Sequence, residues 1–594
     1  MTDVDHRPAL DHSLPPPPAT PRQLTDGGAV ALAVATCMGA WWQAGPPLAM
    51  AVVVAVGALV ARLPVVLVVA GLLLGGALGA RSADGLTPVG AGSFDGVVTL
   101  VGDPRRSAFG TQADVRIGRD RVVLRANGAA AGALDASLTG ERVRVSGRLT
   151  PPAPGTDWMV PRHLVGTLQA DHAERVDSGS APWRGANRFR RLLDRGARNL
   201  PDTERSLYTG FVLGDGRNQS PEIIDDFRGA GMTHLLVVSG QNVAFVLVLV
   251  SPLIARLGWR GRWLATMGVI VAFGVVTRFE PSVLRASAMA ALAVTSRAVG
   301  RPSPSLRTLA LAVTGLVIID PLLVRSIAFQ LSAGASLAIA LLAQPIARLV
   351  PGPRLVADAL GVTLAAQAGV APILIPRFGG IPVASIPANL LAVPISGLIT
   401  SYGLPAGVVA GMLGDVAARW VHLPTTAMLA WVAGVARWAA AAPLGQFGVG
   451  HAVAFTGCLV VMALGRWAPL RVVACGLALM VAAAPSMALR EVPLRVQLDG
   501  DGVVHRSNGV TIVEAAGRGS IEATMGALRV AGVRRIDVLV ASGSAVDLAA
   551  ALRHRWTVVR IIDGSTPPQR VPVGPFTVVV TGGSAPPQVV HQPP

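Results

Sequence analysis

Residues 206–246 read SLYTGFVLGDGRNQSPEIIDDFRGAGMTHLLVVSGQNVAFV. Ser220-Pro221-Glu222 is a helix start: a hydroxyl N-cap, Pro at the first helical position and a carboxylate in the first turn. Gly229 and Gly231 can stop that helix. The apolar run that follows is interrupted by His234 and by Ser239-Gly240-Gln241-Asn242. Polar groups inside a membrane segment are costly and usually face a bundle interior or a water path. On one continuous helix His234 and Gln241 share a face. Two readings stand side by side: residues lining a passage, or satisfied polar residues that join helices.

Outward from this stretch lies an apolar block, residues 201–489. At ~20 residues per span, about eight to eleven membrane segments are expected in it. Arginine clusters at 256–262 and 297–307 mark loop ends. The Pro-rich stretch 371–394 (APILIPRFGGIPVASIPANLLAVP) implies re-entrant or broken helices, tolerated at membrane depth only where buried or lining a wet cavity. In TRFEPSVLRASAMA, Arg278 and Glu280 stand at a membrane boundary and Arg285 enters the next segment. An intramembrane guanidinium is a candidate phosphate contact; its alternatives are an ion pair with an acidic neighbour or snorkelling. Asp320-Pro321 ends a helix. Gln330 and Asn389 are polar in apolar surroundings.

Composition agrees with a membrane protein. The chain has 594 residues, 52% hydrophobic and 14% charged, against about 25% charged in soluble domains. Its mean hydropathy is +0.54. A soluble enzyme filling the chain is excluded, and so is global disorder. The net charge of +17 rests entirely on arginine, because the sequence contains no Lys. Without Lys there is no Walker A loop, no Schiff base and no lysine general base. Codon bias in a GC-rich genome accounts for the missing Lys without a functional reason. Basic excess suits anionic partners, nucleic acid or acidic lipid, and cytoplasmic-side arginine explains part of it. Cys37, Cys458 and Cys475 lie in apolar runs without metal or disulfide spacing.

The flanks differ in texture. Residues 1–27 are polar and Pro-rich, read as a disordered tail and not as a cleavable signal peptide. Residues 28–80 hold three apolar segments, each a little short for a bilayer. Within 81–178, five bursts of alternation (96–102, 113–118, 120–126, 141–149 and 163–170) predict a small β-barrel of the OB type. Its arginines Arg116, Arg121, Arg125, Arg142, Arg144 and Arg148 are candidate nucleic-acid contacts; aromatic candidates are Phe94, Phe109 and Trp158. Residues 179–200 carry a basic amphipathic helix, suited to a membrane surface or to nucleic acid. Residues 490–594 alternate strands with one or two helices, a small α/β domain.

The motifs resemble those of the ComEC family, the inner-membrane channel for DNA uptake in natural competence. They are FVLGDGR (211–217), GMTHLLVVSGQN (231–242), FEPSVLRASAMA (279–290), DPLLVRSIAFQLS (320–332) and PANLLAVP (387–394), in family order and spacing. The resemblance implies an OB-type domain after the first spans, placed outside the membrane, and a C-terminal metallo-β-lactamase-like domain. Two departures stand out. The family His of SG-x-H is Asn242. In RRIDVLVASGSAVDLAAAL (534–552), positions of the family's metal ligands hold Gly543, Ala545 and Leu548; only Asp547 survives, and His554 and His591 stand alone. One Asp does not hold a catalytic zinc.

The expected fold is therefore a polytopic helical membrane protein with an OB-like insert and a degenerate metallo-β-lactamase-like tail. The expected function is a channel component for single-stranded DNA, not an enzyme, without cofactor or metal. Candidate channel residues are His234, Ser239, Gln241, Asn242, Arg285, Gln330 and Asn389. Expected partners are single-stranded DNA, membrane lipid, an extracytoplasmic DNA receptor, an ATP-driven helicase-like motor and a second copy of the chain. The alternatives are a solute or lipid-linked transporter of the same membrane fold, or a membrane-anchored hydrolase.

Overall fold

The structure is a computed structural model. It describes residues 25–464 except 108, 109 and 443, then 469–470, 473–474, 476–478 and 480–481. In the C-terminal part it describes 494–498, 502–507, 509–515, 521–533, 535–541, 545–563, 567, 569–580 and 588–591. The tail 1–24, Phe109, Cys475 and Gly543 fall outside the described residues.

Three helices open the chain: α1 (Asp26–Trp42), α2 (Leu48–Val60) and α3 (Pro64–Asp84). Thr25 caps α1 by accepting from the Gly28 amide. Small residues let α1 and α3 approach closely. A Cβ on Gly75 would lie 2.3 Å from the Thr36 carbonyl oxygen, and one on Gly39 would lie 2.0 Å from that of Leu72. Helices pack in membranes by such close contact of small residues, because lipid provides no hydrophobic drive between them.

A β-sheet region follows: β1 (Gly92–Leu100), β2 (Arg105–Ser107), β3 (Gly110–Ile117), β4 (Asp120–Ala126), α4 (Gly128–Asp135), β5 (Arg142–Thr150) and β6 (Leu164–Asp177). Each expected burst of alternation falls largely within one of these strands. The sheet order is β1-β5-β6-β4-β3-β2, and β1 pairs again with β3, which brings the sheet back onto itself. Val98, Val115, Val122, Leu124, Val143, Val145 and Leu168 fill the inside. Period-2 alternation puts the strand arginines on the outside.

Helix α5 (Ala181–Gly196) leads into α6 (Asp202–Leu213), α7 (Pro221–Gly229), α8 (Gly240–Ile254), α9 (Trp259–Val276), α10 (Pro281–Ala298), α11 (Ser305–Ile319), α12 (Ile327–Ala347) and α13 (Arg354–Phe378). Then come β7 (Ile381–Pro382), α14 (Ser385–Leu413), α15 (Asp415–Val421), α16 (Leu423–Ala441), β8 (Gln446–Phe447) and α17 (Val449–Leu464). Against the eight to eleven segments expected within 201–489, three described helices there, α12, α13 and α14, are long and apolar enough to cross a bilayer, with 21, 25 and 29 residues, and α3, ahead of that block, is a fourth, with 21. Others, such as α2, α8 and α11, are apolar but of 13 to 15 residues. These four helices fit a membrane protein. The Pro-rich stretch is mostly helical, with its break confined to 379–384. That break is tied down by pairing of β7 with β8 and by the Val383 amide donating to the Gly445 carbonyl at 3.2 Å.

The C-terminal part has β9 (Leu494–Leu498), β10 (Gly502–Ser507), β11 (Val510–Ala515), α18 (Ile521–Val530), β12 (Arg535–Ala541), α19 (Ala545–Arg553) and β13 (Thr557–Asp563). Strands β14 (Gln569–Val573), β15 (Phe576–Val580) and β16 (Gln588–His591) end it. A five-stranded sheet runs β13-β12-β11-β10-β9, parallel between β11, β12 and β13. Met525, Leu528, Ala549 and Leu552 from the helices pack on one face. The second sheet, β14-β15-β16, packs on the other through Val571, Phe576 and Val578.

Candidate functional site

The quoted stretch folds into two short helices and a 3-10 turn before α8. Ser220 caps α7, accepting from the Ile223 amide. His234 lies in the turn Thr233–Leu235, and α8 starts only at Gly240. The one-helix reading of His234 and Gln241 is thus corrected, because the segment breaks between them. Both side chains are exposed. Asn242 is buried, and its amide nitrogen donates to the Phe211 carbonyl at 2.9 Å. The Ser239 hydroxyl donates to the other end of the same amide at 3.2 Å. This pair ties the start of α8 to the end of α6.

Arg285 sits one turn into α10. Its Nε donates to Ser332 Oγ on α12 at 2.7 Å, and Nη1 lies 3.1 Å from Met289 Sδ. Among the described residues it has no carboxylate partner. Its guanidinium lies against Gly240, where a Cβ would stand 3.0 Å from Arg285 Nη2 and 2.9 Å from Ala286. So Gly240 lets the polar start of α8 meet the arginine. The two other polar candidates have local partners. Gln330 Nε2 donates to the Val324 carbonyl at 2.7 Å, and Asn389 Nδ2 to that of Ser385 at 2.7 Å. The Asn389 amide oxygen is buried without a partner among the described residues. Gly240 and Ser332 stand in motifs quoted from the sequence, but nothing in those motifs shows that both meet Arg285.

A buried charge cluster joins the β region to the bundle. Asp103, in the β1–β2 turn, pairs with Arg190 of α5 and, at 3.2 Å, with Arg278. Thr139 adds a hydroxyl bond to Asp103 at 2.7 Å. Asp215 of the LGD motif takes Arg217 at 2.6 Å and Arg190 at 3.3 Å. Arg278 also donates to the Leu213 and Gly214 carbonyls at 3.2 and 2.6 Å. Burial alone would raise the Asp103 pKa, but the guanidiniums of Arg190, Arg278 and Arg217 outweigh it and hold the carboxyl well below the usual carboxylate range. The same opposition, with Arg217 as main partner, lowers that of Asp215. Helix α5 is therefore not a free basic surface. Arg190 and Asn187 are buried in it, and Gly196 packs on α14, where a Cβ would lie 2.5 Å from the Gly407 oxygen. Its basic stripe is consumed in part by ion pairs.

The six β-region arginines share the outer surface. Strand register puts Arg121 opposite Arg116, Arg116 opposite Thr99, and Thr99 opposite Arg142. A second row runs Arg148, Gln169, Arg125, Gln112 and Arg105 across five strands. Arg142 and Arg144 make exposed pairs with Asp177 and Asp95 at 3.5 and 3.8 Å; such pairs contribute little. Arg116, Arg121, Arg125 and Arg148 have no acidic partner among the described residues. Trp158 is exposed, with Arg162 over its ring at 5.3 Å.

The C-terminal part docks on α7. Asp225, fully buried, pairs with Arg529 and with Arg555 at 2.9 Å, and His554 lies 3.3 Å from Asp226. His554, isolated in sequence, has its partner across this junction. The described residues contain no cluster of three His, Cys, Asp or Glu placed to hold a metal.

Residues 211–483, which contain all of these bundle motifs, match the family described as competence protein. That match covers somewhat under half of the chain, and it places the bundle region in similarity to competence proteins. It is 25% identical over 243 residues to ComE operon protein 3 of Bacillus subtilis (strain 168), covering 39% of this chain and 30% of that protein. It is 27% identical over 224 residues to the uncharacterised protein YcaI of Escherichia coli (strain K12), covering 36% and 30%. An uncharacterised protein of Aquifex aeolicus (strain VF5) is 32% identical over 202 residues, covering 34% and 46%. The chain thus spans between about a third and a half of the length of the curated relatives it matches. No solved structure matches it.

Proposed function

We propose that this protein takes part in DNA uptake, as a channel component that moves single-stranded DNA across the cytoplasmic membrane. The observation that carries the reading is Arg285: a guanidinium in an apolar bundle, held by a hydroxyl and not by a carboxylate. A buried cation without a protein counter-charge is costly, and a passing phosphodiester supplies that charge. The exposed His234 and Gln241 lie on the same polar stretch. Asn242, Gln330 and Asn389 act on the frame. The β region is read as an OB-type fold, and its outer arginine rows offer sequence-independent phosphate contacts. The C-terminal part is read as a metallo-β-lactamase-like unit without its metal ligands, so the protein is proposed not to be an enzyme. Without Lys, no Walker A loop drives transport; an ATP-driven helicase-like motor and an extracytoplasmic DNA receptor are proposed partners, with self-association.

The test is import of labelled DNA in a competent host lacking its own channel, with insertion confirmed by blot. Full-length protein restores import. Arg285→Ala reduces it roughly tenfold to a hundredfold at equal protein level, the range for losing one hydrogen bond to a charge. A chain ending at Arg490 tests whether the C-terminal unit is needed. No import from well-inserted protein, in this host and in the native organism alike, overturns the reading.

A further inference from the structure

The junction between the C-terminal unit and the bundle encloses a cleft of about 380 Å³. Its walls include Gly229, Ala441, Gly532, Val533 and Trp556, together with Arg529 and Arg555. The two arginines share one carboxylate, Asp225. A guanidinium has five N–H donors. Among the described residues Arg555 hydrogen-bonds through Nη1 alone, to Asp225 at 2.9 Å, and lies over the Trp556 ring at 5.5 Å. Arg529 spends Nη1 on Asp225, while its Nε is buried with no partner among the described residues. The arginine side chains are 13% and 12% exposed, and apart from Arg529 Nε their remaining donors are open to the cleft and its solvent.

The charges behind the cleft are mixed: Asp225 faces both guanidiniums, Asp226 adds a carboxylate in the field of Arg555, and Arg228 a guanidinium in that of Arg529. Among the cleft's own lining residues only Arg529 and Arg555 are charged. Burial, with Arg555 adding to it, pushes the Arg529 pKa below its ordinary value despite Asp225. The start of α14 and the end of α16 both border the cleft, and their dipoles are opposed. The arginines therefore set the field. The rest of the wall is glycine, alanine, Pro382, Val533 and Trp556, with Gln446 as a further polar group. A bare anion would leave most of the volume empty. Space of this size, apolar with a few convergent polar groups, suits an organic ligand.

We propose that this cleft is a binding site for a phosphate ester, with the phosphoryl oxygens on the spare donors of Arg529 and Arg555 and the organic part against Val533, Trp556 and the alanines of α16. Fork-shaped guanidinium pairs favour phosphate over other anions of equal charge. Two sources offer that chemistry: a soluble nucleoside phosphate, and the headgroup of an anionic phospholipid at the bundle end. The site stands independently of what passes through the bundle.

The test uses the full chain and native mass spectrometry. One arm adds dAMP, or inorganic phosphate as competitor, to protein in detergent. The other releases protein from nanodiscs of mixed phosphatidylglycerol and phosphatidylcholine. Expected is a saturable adduct, displaced by phosphate, in the dAMP arm or retained phosphatidylglycerol in the lipid arm; which arm responds names the source. Arg555→Gln weakens the adduct at least tenfold. Since it also disturbs Asp225, Ala441→Phe serves as the second variant: it fills the cleft, touches neither pair, and abolishes the adduct. No adduct in either arm, or adducts that survive Ala441→Phe, overturns the proposal.

Discussion

Asp103 carries the junction between the β region and the bundle, and it does so by charge. Removing it leaves Arg278 buried without its paired carboxylate and Arg190 with only the longer contact to Asp215 at 3.3 Å. Asp103→Ala is expected to destabilise by about 3–5 kcal/mol, the range for breaking a buried pair from one side, read as a fall in melting temperature of detergent-purified protein. The pH dependence follows from the lowered carboxyl pKa. The unfolded value is about 3.9 and the folded one lies below it, so the stabilisation is complete above about pH 5 and lost as pH falls through the folded value. Wild type should melt at constant temperature from pH 8 to 5 and drop below about pH 4, with a shallower drop in Asp103→Ala. Asp226 of α7 behaves oppositely. Burial raises the Asp226 pKa above its ordinary value, against partial relief from His554. Its charge is a cost at neutral pH that protonation removes as pH falls toward 4. Asp226→Asn should therefore leave the melting temperature unchanged or raised at pH 7.5, whereas Asp225→Asn strands two arginines and should free the C-terminal unit to limited proteolysis. Sequence made Asp215 and Arg285 visible, because they stand in motifs or in apolar runs. It hid Asp103, whose partner Arg190 is 87 positions away, in a turn that reads like any other polar turn.

Elements were legible where one period dominates. The alternation of 96–170 foretells strands with a buried and an exposed face, and the structure has them. Helix α5 has just as clear a period, yet its basic face meets protein as well as solvent; a period shows that a helix has two faces and not what covers each. The Pro-rich stretch misled in the other direction. Pro372, Pro376 and Pro394 lie inside helices α13 and α14, since bundle neighbours can satisfy the freed carbonyls. The break falls instead at Gly379, with φ at 81°, where a left-handed residue closes α13. Small residues decide the packing of α1 on α3. Gly75→Leu cannot be absorbed, because a Cβ there meets the Thr36 backbone and not a flexible side chain. It should separate α1 from α3, which a loss of cysteine crosslinking between Thr36→Cys and Leu72→Cys would register, while Gly57→Leu, with nothing within 4 Å, should not.

At the scale of the molecule, α14 orders the parts. Gly407 and Gly411 near its end receive α5, and its first residues border the cleft under the C-terminal unit. At 1.5 Å per residue these points are ~40 Å apart, more than the hydrocarbon core of a bilayer. The β region and the C-terminal unit thus dock toward opposite ends of one helix. Sequence showed that three textures follow one another; it carried no sign of α14 as their common axis, because no contact between distant segments is written in a local pattern. The Asp103 cluster also has a consequence for manufacture. A ribosome delivers Asp103 first, Arg190 next, then Asp215 and Arg217, and Arg278 last. The sheet can fold early, but its lock waits for a residue made after α9. A nascent chain halted near residue 260 should therefore expose the linker around 178–180 to protease, and one halted near residue 330 should not, so the order of synthesis sets the moment at which the β region is fastened down.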